Sequence, residues 1–406
     1  MPRSYLTGCQ AVAEGARLAA VQVVAAYPIT PQTAIVETLA SAVARGELDA
    51  QMVPVESEHS AMSVCIGAAM VGARAFTASS SQGLILMHEC LFMASGLRLP
   101  IVMAVANRAL ASPVTIFADH QDSLATRDAC WLQLYAETCQ EVLDYILIAY
   151  RTAYHPEVML PVMVCLDGFF LSHISEPVSV PDQAAARDYL ADARPAYPML
   201  DVDDPRCFNV MAFPDYFSEF QRDRFESMRK AALVLDAAFQ EFEASFGRSH
   251  ARVEGYRTSD AQFILVGMGS LMGTVKQVVD DHRREGHLVG AVRITAFRPF
   301  PESEVAGLCR NATAVGVLDR DVSPGSGGIL FAEVSKCLYG SAPGPRLVSF
   351  VLGLGGRDVT EETVTRCLEQ LLTPAAQVLG GAVHWPDANT ATLRKWGLGD
   401  ADGDKS

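Results

Sequence analysis

Short apolar runs alternate with segments of helical period over residues 10–168. Residues 10–21, QAVAEGARLAAV, predict an alanine-rich helix, and Val23–Tyr27 a short strand. Thr33–Arg45 predicts a second helix, closed by Gly46. The apolar run Met52–Val55 then turns through Glu56-Ser57-Glu58 into a helix of small residues, Ser60–Val71. A strand over Ala73–Thr77 and a Ser/Gly loop, Ser79–Gly83, complete the unit. A strand, a carboxylate, a helix and a strand at this spacing suit a parallel βαβ unit. Helix Leu84–Ser95, strand Leu99–Ala106, helices Trp131–Tyr135 and Gln140–Tyr150, and strand Val162–Leu166 continue the alternation.

The rhythm breaks between Ser175 and about Tyr256. Prolines make a long irregular connection there, followed by a charged amphipathic helix over Asp215–Phe246. This segment reads as an arm lying on the first domain or on a partner subunit. Alternation resumes with strand Phe263–Met268, helix Thr274–Gly286, strand Val289–Ile294, helix Glu302–Cys309 and strand Ala314–Leu318. The expected fold is therefore α/β, with two doubly wound domains. Their expected extents are residues 1–250, with the arm from about 175, and residues 251–385. Residues 386–406 read as a tail, frayed beyond Trp396.

Composition narrows the class. A chain of 406 residues exceeds one ordinary core. A net charge of −15 argues against nucleic-acid binding. No apolar run suffices to span a bilayer, and the start MPRSYLTGCQ has no signal-type apolar stretch, so a cytoplasmic protein is expected. The ten cysteines form no CxxC and no metal-ligand spacing. They read as buried free thiols of a reducing compartment, without an iron–sulfur cluster or other metal held by this chain.

Four places could carry chemistry. Glu58 sits at a strand-to-helix switch, where α/β sheets place ligand-binding groups; alone, it reads equally as a helix-start acid behind an N-cap at Ser57. Thr30 lies in a turn stiffened by Pro28 and Pro31, and its alternative is a capping threonine of an ordinary loop. Arg108 follows a strand expected to be parallel, where its fork suits either a carboxylate ligand or a loop salt bridge. His120, between Asp119 and Asp122, has no recognised ligand spacing and reads as part of a hydrogen-bonded loop. The glycine-rich Ser323–Gly328 lacks both the GxGxxG spacing and the P-loop lysine of a phosphate cradle.

The segments YPITP, ESEHSA, TASSSQGLILMHE, NRALASP, FADHQDS and DGFFLSH occur in this order. In that order they resemble the 2-oxoacid:ferredoxin oxidoreductases, specifically the alpha subunit of the multi-subunit, pyruvate-type form, over roughly residues 5–350. The resemblance implies a thiamine-diphosphate pyrimidine-binding domain followed by a transketolase-C-like domain. It also implies oxidative decarboxylation of a 2-oxoacid with coenzyme A. Glu58 would match the glutamate that hydrogen-bonds the cofactor's aminopyrimidine and favours its imino tautomer, with Tyr27 and Pro28 lining the cofactor. Thr30 would lie near the substrate carbonyl and carboxylate, and Arg108 would pair with that carboxylate.

The family's GDG diphosphate motif and its cluster cysteines are missing. Thiamine diphosphate would thus be shared with a beta subunit bringing the diphosphate site, Mg2+ and a 4Fe–4S cluster. Gamma and ferredoxin-like delta subunits would complete a dimer of hetero-oligomers, with ferredoxin or a flavin/NAD subunit as acceptor. Pyruvate is the expected substrate; phenylglyoxylate, 2-oxoisovalerate and an aryl pyruvate are the bulkier alternatives. A non-catalytic scaffold and a transketolase-like transferase are the readings of other classes.

Overall fold

The structure is a computed structural model and describes residues 3–196, 200–340, 344–373 and 382–397. The chain divides into two units, Met1–Val253 with Ile294–Pro301, and Glu254–Arg293 with Glu302–Ser406.

The first unit opens with β1 (Arg3–Thr7), α1 (Gly8–Leu18), β2 (Val23–Ala26), α2 (Thr33–Ala44), β3 (Gln51–Pro54), α3 (Glu58–Met70) and β4 (Ala75–Ser79). It continues through α4 (Ser81–Leu86), α5 (His88–Gly96), β5 (Val102–Asn107), α6 (Gln121–Ala125), β6 (Leu132–Tyr135), α7 (Cys139–Ala153) and β7 (Val162–Asp167). Then come β8 (Ser175–Ser179), α8 (Gln183–Tyr189) and α9 (Pro214–Phe246). Thr7 and Gln10 form a reciprocal capping box that starts α1.

The main sheet has the order Ala296–Arg298, β6, β7, β5, β4, β2, β3. Strands β2 to β7 run parallel, and only Ala296–Arg298 runs against its neighbour. The chain steps from β2 outward to β3, then returns past β2 to β4. Right-handed crossovers in opposite directions put successive helices on opposite faces. Accordingly α1 packs on α2 and α7, whereas α3 packs on α5. The reversal between β2 and β4 is the topological switch point, where a crevice opens at the strands' carboxyl ends. Strands β4 to β7 are buried throughout, as expected for apolar runs covered on both faces.

Some expected elements differ. Trp131–Tyr135, expected as a helix, is strand β6, laddered between β7 and Ala296–Arg298. A mostly apolar stretch of five residues carries too little periodicity to separate helix from strand, and the available ladder partners decided it. The helix expected over Leu84–Ser95 is two helices meeting at Met87, and the first already begins at Ser81, inside the expected loop. The connection after Ser175 contains β8, antiparallel to β1, and helix α8. The C-terminal half of α9 joins the first unit's core through Leu235, Phe239, Phe242 and Phe246. Buried Asp144 fastens the chain just beyond it, accepting hydrogen bonds from Arg248 at 2.7 and 2.8 Å and meeting His250 at 3.0 Å.

The second unit is built on the sheet Val383–His384, Arg346–Val351, Ala314–Asp319, Phe263–Gly267, Val289–Ile294, Val253–Tyr256. Its first five strands are parallel. Helix Ile329–Leu338 follows the glycine-rich loop, and its N-terminus is filled by the protein's own carboxylates. Leu330 and Phe331 N–H donate to Asp319 at 2.7 and 3.2 Å, and Ile329 N–H to Asp321 at 3.2 Å. A side chain at Gly328 would lie 2.0 Å from the Asp319 carboxyl carbon, so the loop closes onto an acid rather than a phosphate. Within the expected tail, Thr390–Lys395 is helical, and residues 398–406 lie outside the described residues. No helix among the described residues is long and apolar enough to cross a membrane.

Candidate active site

The carboxyl ends of β2, β4 and β5 carry most of the residues singled out above. After β2 the chain turns at Tyr27-Pro28-Ile29-Thr30, held by Gln32, whose side chain donates to the Tyr27 carbonyl at 2.7 Å. Tyr27, Pro28 and Thr30 are exposed at this edge.

Glu58 is the first residue of α3, behind an extended Ser57 whose hydroxyl accepts from Ser60 N–H at 3.3 Å. The N-cap predicted from sequence is therefore present, yet the next side chain turns inward. Glu58 is 5% exposed, and none of the hydrogen bonds among the described residues ends on its carboxylate. A buried carboxylate without a donor is costly, so this arrangement suits a group supplied from outside the chain. Its carboxylate lies against the bare backbone of Gly83, where an added Cβ would stand 2.3 Å from Glu58 Oε1 and 2.8 Å from Ser79 Oγ. The hydroxyls of Thr77, Ser79 and Ser80, along and just after β4, are buried and have no hydrogen-bond partner. Only a glycine at position 83 thus leaves room for the Glu58 carboxylate and the Ser79 hydroxyl where they stand.

Arg108, directly after β5, is 8% exposed. Its Nε donates to the Thr115 carbonyl at 2.8 Å and its Nη1 to the Thr30 carbonyl at 3.0 Å. The structure therefore joins Thr30 to Arg108, through the Thr30 backbone. The Nη2 group of Arg108 donates to none of the described residues.

Asp122 is the residue that sequence reasoning left as part of a polar loop. It is fully buried at the start of α6 and accepts four hydrogen bonds. Its Oδ2 takes the N–H groups of Ser81 at 2.8 Å and Arg108 at 3.0 Å. Its Oδ1 takes Asn107 Nδ2 and Ser123 N–H, both at 2.8 Å. Burial pushes the Asp122 carboxyl up to about 6, against the hydrogen bonds from Asn107, Ser81 and Arg108 that hold it down, and the carboxylate joins the ends of β4 and β5. The only sequence signal was a second acid in FADHQDS, which does not reveal what it meets.

His120 belongs to the structural layer beneath. Its Nε2 meets Asp167 Oδ1 at 2.7 Å, with both side chains 1% exposed. Among the described residues no group of three or more His, Cys, Asp or Glu is placed to hold a metal. All ten cysteines are free, and burial pushes Cys9 and Cys65 up to about 12. Cys207 is exposed, and Cys130 and Cys337 are partly so. Beyond Arg108 the loop returns through Ala109 N–H to the Phe117 carbonyl at 3.0 Å, with the half-exposed Phe117 ring against Phe169 at 4.9 Å.

Residues 14–240 match the family described as pyruvate flavodoxin/ferredoxin oxidoreductase, thiamine-diphosphate-binding. The chain belongs to that family. Residues 261–364 match the pyruvate:ferredoxin oxidoreductase core domain II. Pyruvate synthase subunit PorA of Methanocaldococcus jannaschii is 49% identical over 357 residues, 87% of this chain and 91% of the relative. PorA of Pyrococcus furiosus is 46% identical over 367 residues, 90% of this chain and 93% of the relative. Ketoisovalerate oxidoreductase subunit VorA of Pyrococcus horikoshii is 44% identical over 370 residues, 91% of this chain and 93% of the relative. Among solved structures, the 2-oxoglutarate:ferredoxin oxidoreductase of Magnetococcus marinus superposes with a TM-score of 0.69 at 18% identity. It covers 91% of this chain, which spans 65% of the length of that one, and the likeness establishes a shared fold.

The thiamine diphosphate in the family's description fits the residues present. A buried carboxylate that accepts no hydrogen bond from the described residues, seated against a bare glycine and beside buried hydroxyls without partners, suits a polar ring as its partner. Gly83→Ala should therefore abolish or strongly weaken cofactor binding while the chain stays folded, because the added methyl displaces the Glu58 carboxylate. Calorimetric titration of thiamine diphosphate into the assembled enzyme checks this; wild-type affinity would show that Gly83 does not face the cofactor.

Proposed function

We propose that the chain is the alpha subunit of a cytoplasmic, multi-subunit 2-oxoacid oxidoreductase that decarboxylates pyruvate oxidatively with coenzyme A. Acetyl-CoA and CO2 are the products, and two electrons leave for ferredoxin or a flavin/NAD subunit. The observation that carries this reading is the buried, unpartnered Glu58 carboxylate against Gly83, in a chain nearly half identical to pyruvate synthase subunits. Residues 1–250 would be the pyrimidine-binding half and residues 251–385 the transketolase-C-like half. In this reading the diphosphate site and Mg2+, whose GDG motif is not in this sequence, and a 4Fe–4S cluster, whose cysteines are not in it either, would belong to a beta subunit, with gamma and delta subunits completing the electron path.

In this reading the bound cofactor supplies the nucleophilic carbon and the electron sink for decarboxylation. Glu58 accepts a hydrogen bond from its pyrimidine ring and fixes its protonation state, with Tyr27 and Pro28 beside it. Arg108 places its Nη2 donors toward the substrate carboxylate, while its other donors lock the fork onto the Thr30 and Thr115 carbonyls. Thr30 flanks the same carboxylate. A single free edge of one guanidinium suits a monocarboxylate.

A second reading, a branched 2-oxoacid, draws support from the VorA relative and from the half-exposed Phe117. The deciding experiment is a substrate panel on the purified complex, following viologen reduction with coenzyme A present. Pyruvate should give the highest kcat/KM among pyruvate, 2-oxoisovalerate, 2-oxoglutarate, oxalate and phenylglyoxylate. Preference for 2-oxoisovalerate or phenylglyoxylate would replace the substrate, and no dye reduction would remove the oxidoreductase role.

Glu58→Gln should leave the complex assembled and lower kcat about 100-fold, the scale of a lost acid–base contribution. Near-normal turnover would exclude Glu58 from cofactor activation. Arg108→Ala should raise the KM for pyruvate roughly 10- to 100-fold, the equivalent of one charge-assisted hydrogen bond, with thiamine diphosphate affinity retained. An unchanged KM would take Arg108 out of the carboxylate site.

A further inference from the structure

On the first unit, α9 and the segment before β6 enclose a groove of about 530 Å3, far from neutral in its lining. Four guanidiniums, Arg127, Arg222, Arg224 and Arg298, face it, against the single carboxylate of Asp128. Arg127, Arg222 and Arg224 make no ion pair with any described residue. Two of the acids next to them on α9 are engaged elsewhere, Asp223 with Arg98 and Glu226 with Arg229 at 3.2 Å, while the exposed Glu219, one turn before Arg222, makes no ion pair with it. Such a cluster stands out in a chain whose acids outnumber its bases by 15.

The groove continues into an aromatic row. Phe225, 63% exposed, lies on its rim. Phe217 stands one helical turn before Gln221 and Phe220 one turn before Arg224, both lining positions, so they share this side of the helix. Phe213 and Tyr216 extend the row by a further turn, and all four are more than half exposed. From Phe213 to Phe225 the row runs about 18 Å at the rise of an α-helix.

We propose that this face of α9 docks an acidic segment of a partner subunit. Charge decides the sign of the occupant: Arg127 donates to the Leu124 carbonyl and Arg224 to Ser95 and Gln221, but none of the three guanidiniums has a carboxylate partner among the described residues, and an acidic occupant supplies one. Length decides its size. A small anion could fill the groove but would leave the aromatic row in water, whereas a protein segment covers both. Aromatic side chains with arginine are also the composition that dominates binding energy at protein interfaces. The proposal rests on the reading of the chain as one subunit of a larger enzyme, and adds where one partner sits.

The test uses the multi-subunit enzyme purified through a tag on this chain. Arg222→Glu combined with Arg224→Glu, and separately Phe217→Ser combined with Phe220→Ser, are compared with wild type by native mass spectrometry and light scattering across a salt series. Both variants should keep the wild-type melting temperature and thiamine diphosphate affinity, yet lose one partner subunit at a protein concentration about tenfold higher than wild type does. In the wild type, benzoylphenylalanine at position 217 should cross-link to an Asp/Glu-rich stretch of a different polypeptide. Unchanged subunit dissociation in both variants, or cross-links solely to a second copy of this chain, would overturn the proposal. A shift in melting temperature with inorganic phosphate that Arg222→Glu/Arg224→Glu abolishes, with assembly intact, would assign the groove to a small anion and overturn it too. Turnover of pyruvate by the isolated wild-type chain would instead refute the subunit reading itself.

Discussion

A single buried carboxylate organises the candidate site. Asp122 gathers the N–H groups of Ser81 and Arg108 on one oxygen, and those of Asn107 and Ser123 on the other. An ion in this position is stable only while its donors are in place, because burial alone would favour the neutral acid. The ends of β4 and β5 are thereby held to one centre. Arg108 extends the network to the turn after β2, through the Thr30 carbonyl. The ends of β2, β4 and β5 are thus linked by hydrogen bonds, the kind of support a site acting by orientation needs.

Set against this satisfied network is the unsatisfied patch beside it. Glu58 is buried without a donor among the described residues, and the hydroxyls of Thr77, Ser79 and Ser80 are buried without partners, whereas the neighbouring Ser81 is engaged through both its N–H and its hydroxyl. The contrast locates the ligand side of the site. Buried polar groups are ordinarily partnered, so three unpartnered hydroxyls in the four residues 77–80, beside a carboxylate without a donor, mark this patch. Gly83, having no side chain, makes the room in which the Glu58 carboxylate stands.

The long helix α9 shows the same division along its length. Its C-terminal half is fastened by Phe239, Phe242 and Phe246 and by the Asp144 clamp beyond them, while its N-terminal half presents aromatics and unpaired arginines to solvent. One element can thus belong to the core at one end and offer a surface at the other.

Alternation of apolar runs and helical periods, a local property, was enough to read two doubly wound α/β units, and to place Glu58 at a strand-to-helix switch and Arg108 at the end of a strand. Motif order then named the family without any contact being known. Beyond that reach lay whatever depends on partners distant in the chain. Leu132–Tyr135 became a strand because β7 and Ala296–Arg298 offered it ladders, and Arg3–Thr7 became one because Ser175–Ser179 did. Asp122 looked like a loop acid until folding brought Ser81 and Arg108 to it. Sequence determined which residues were available for chemistry, since that is written in residue type and local spacing. Tertiary structure decided which of them are buried, satisfied or left waiting, since burial and hydrogen bonding are settled only when separate strand ends meet.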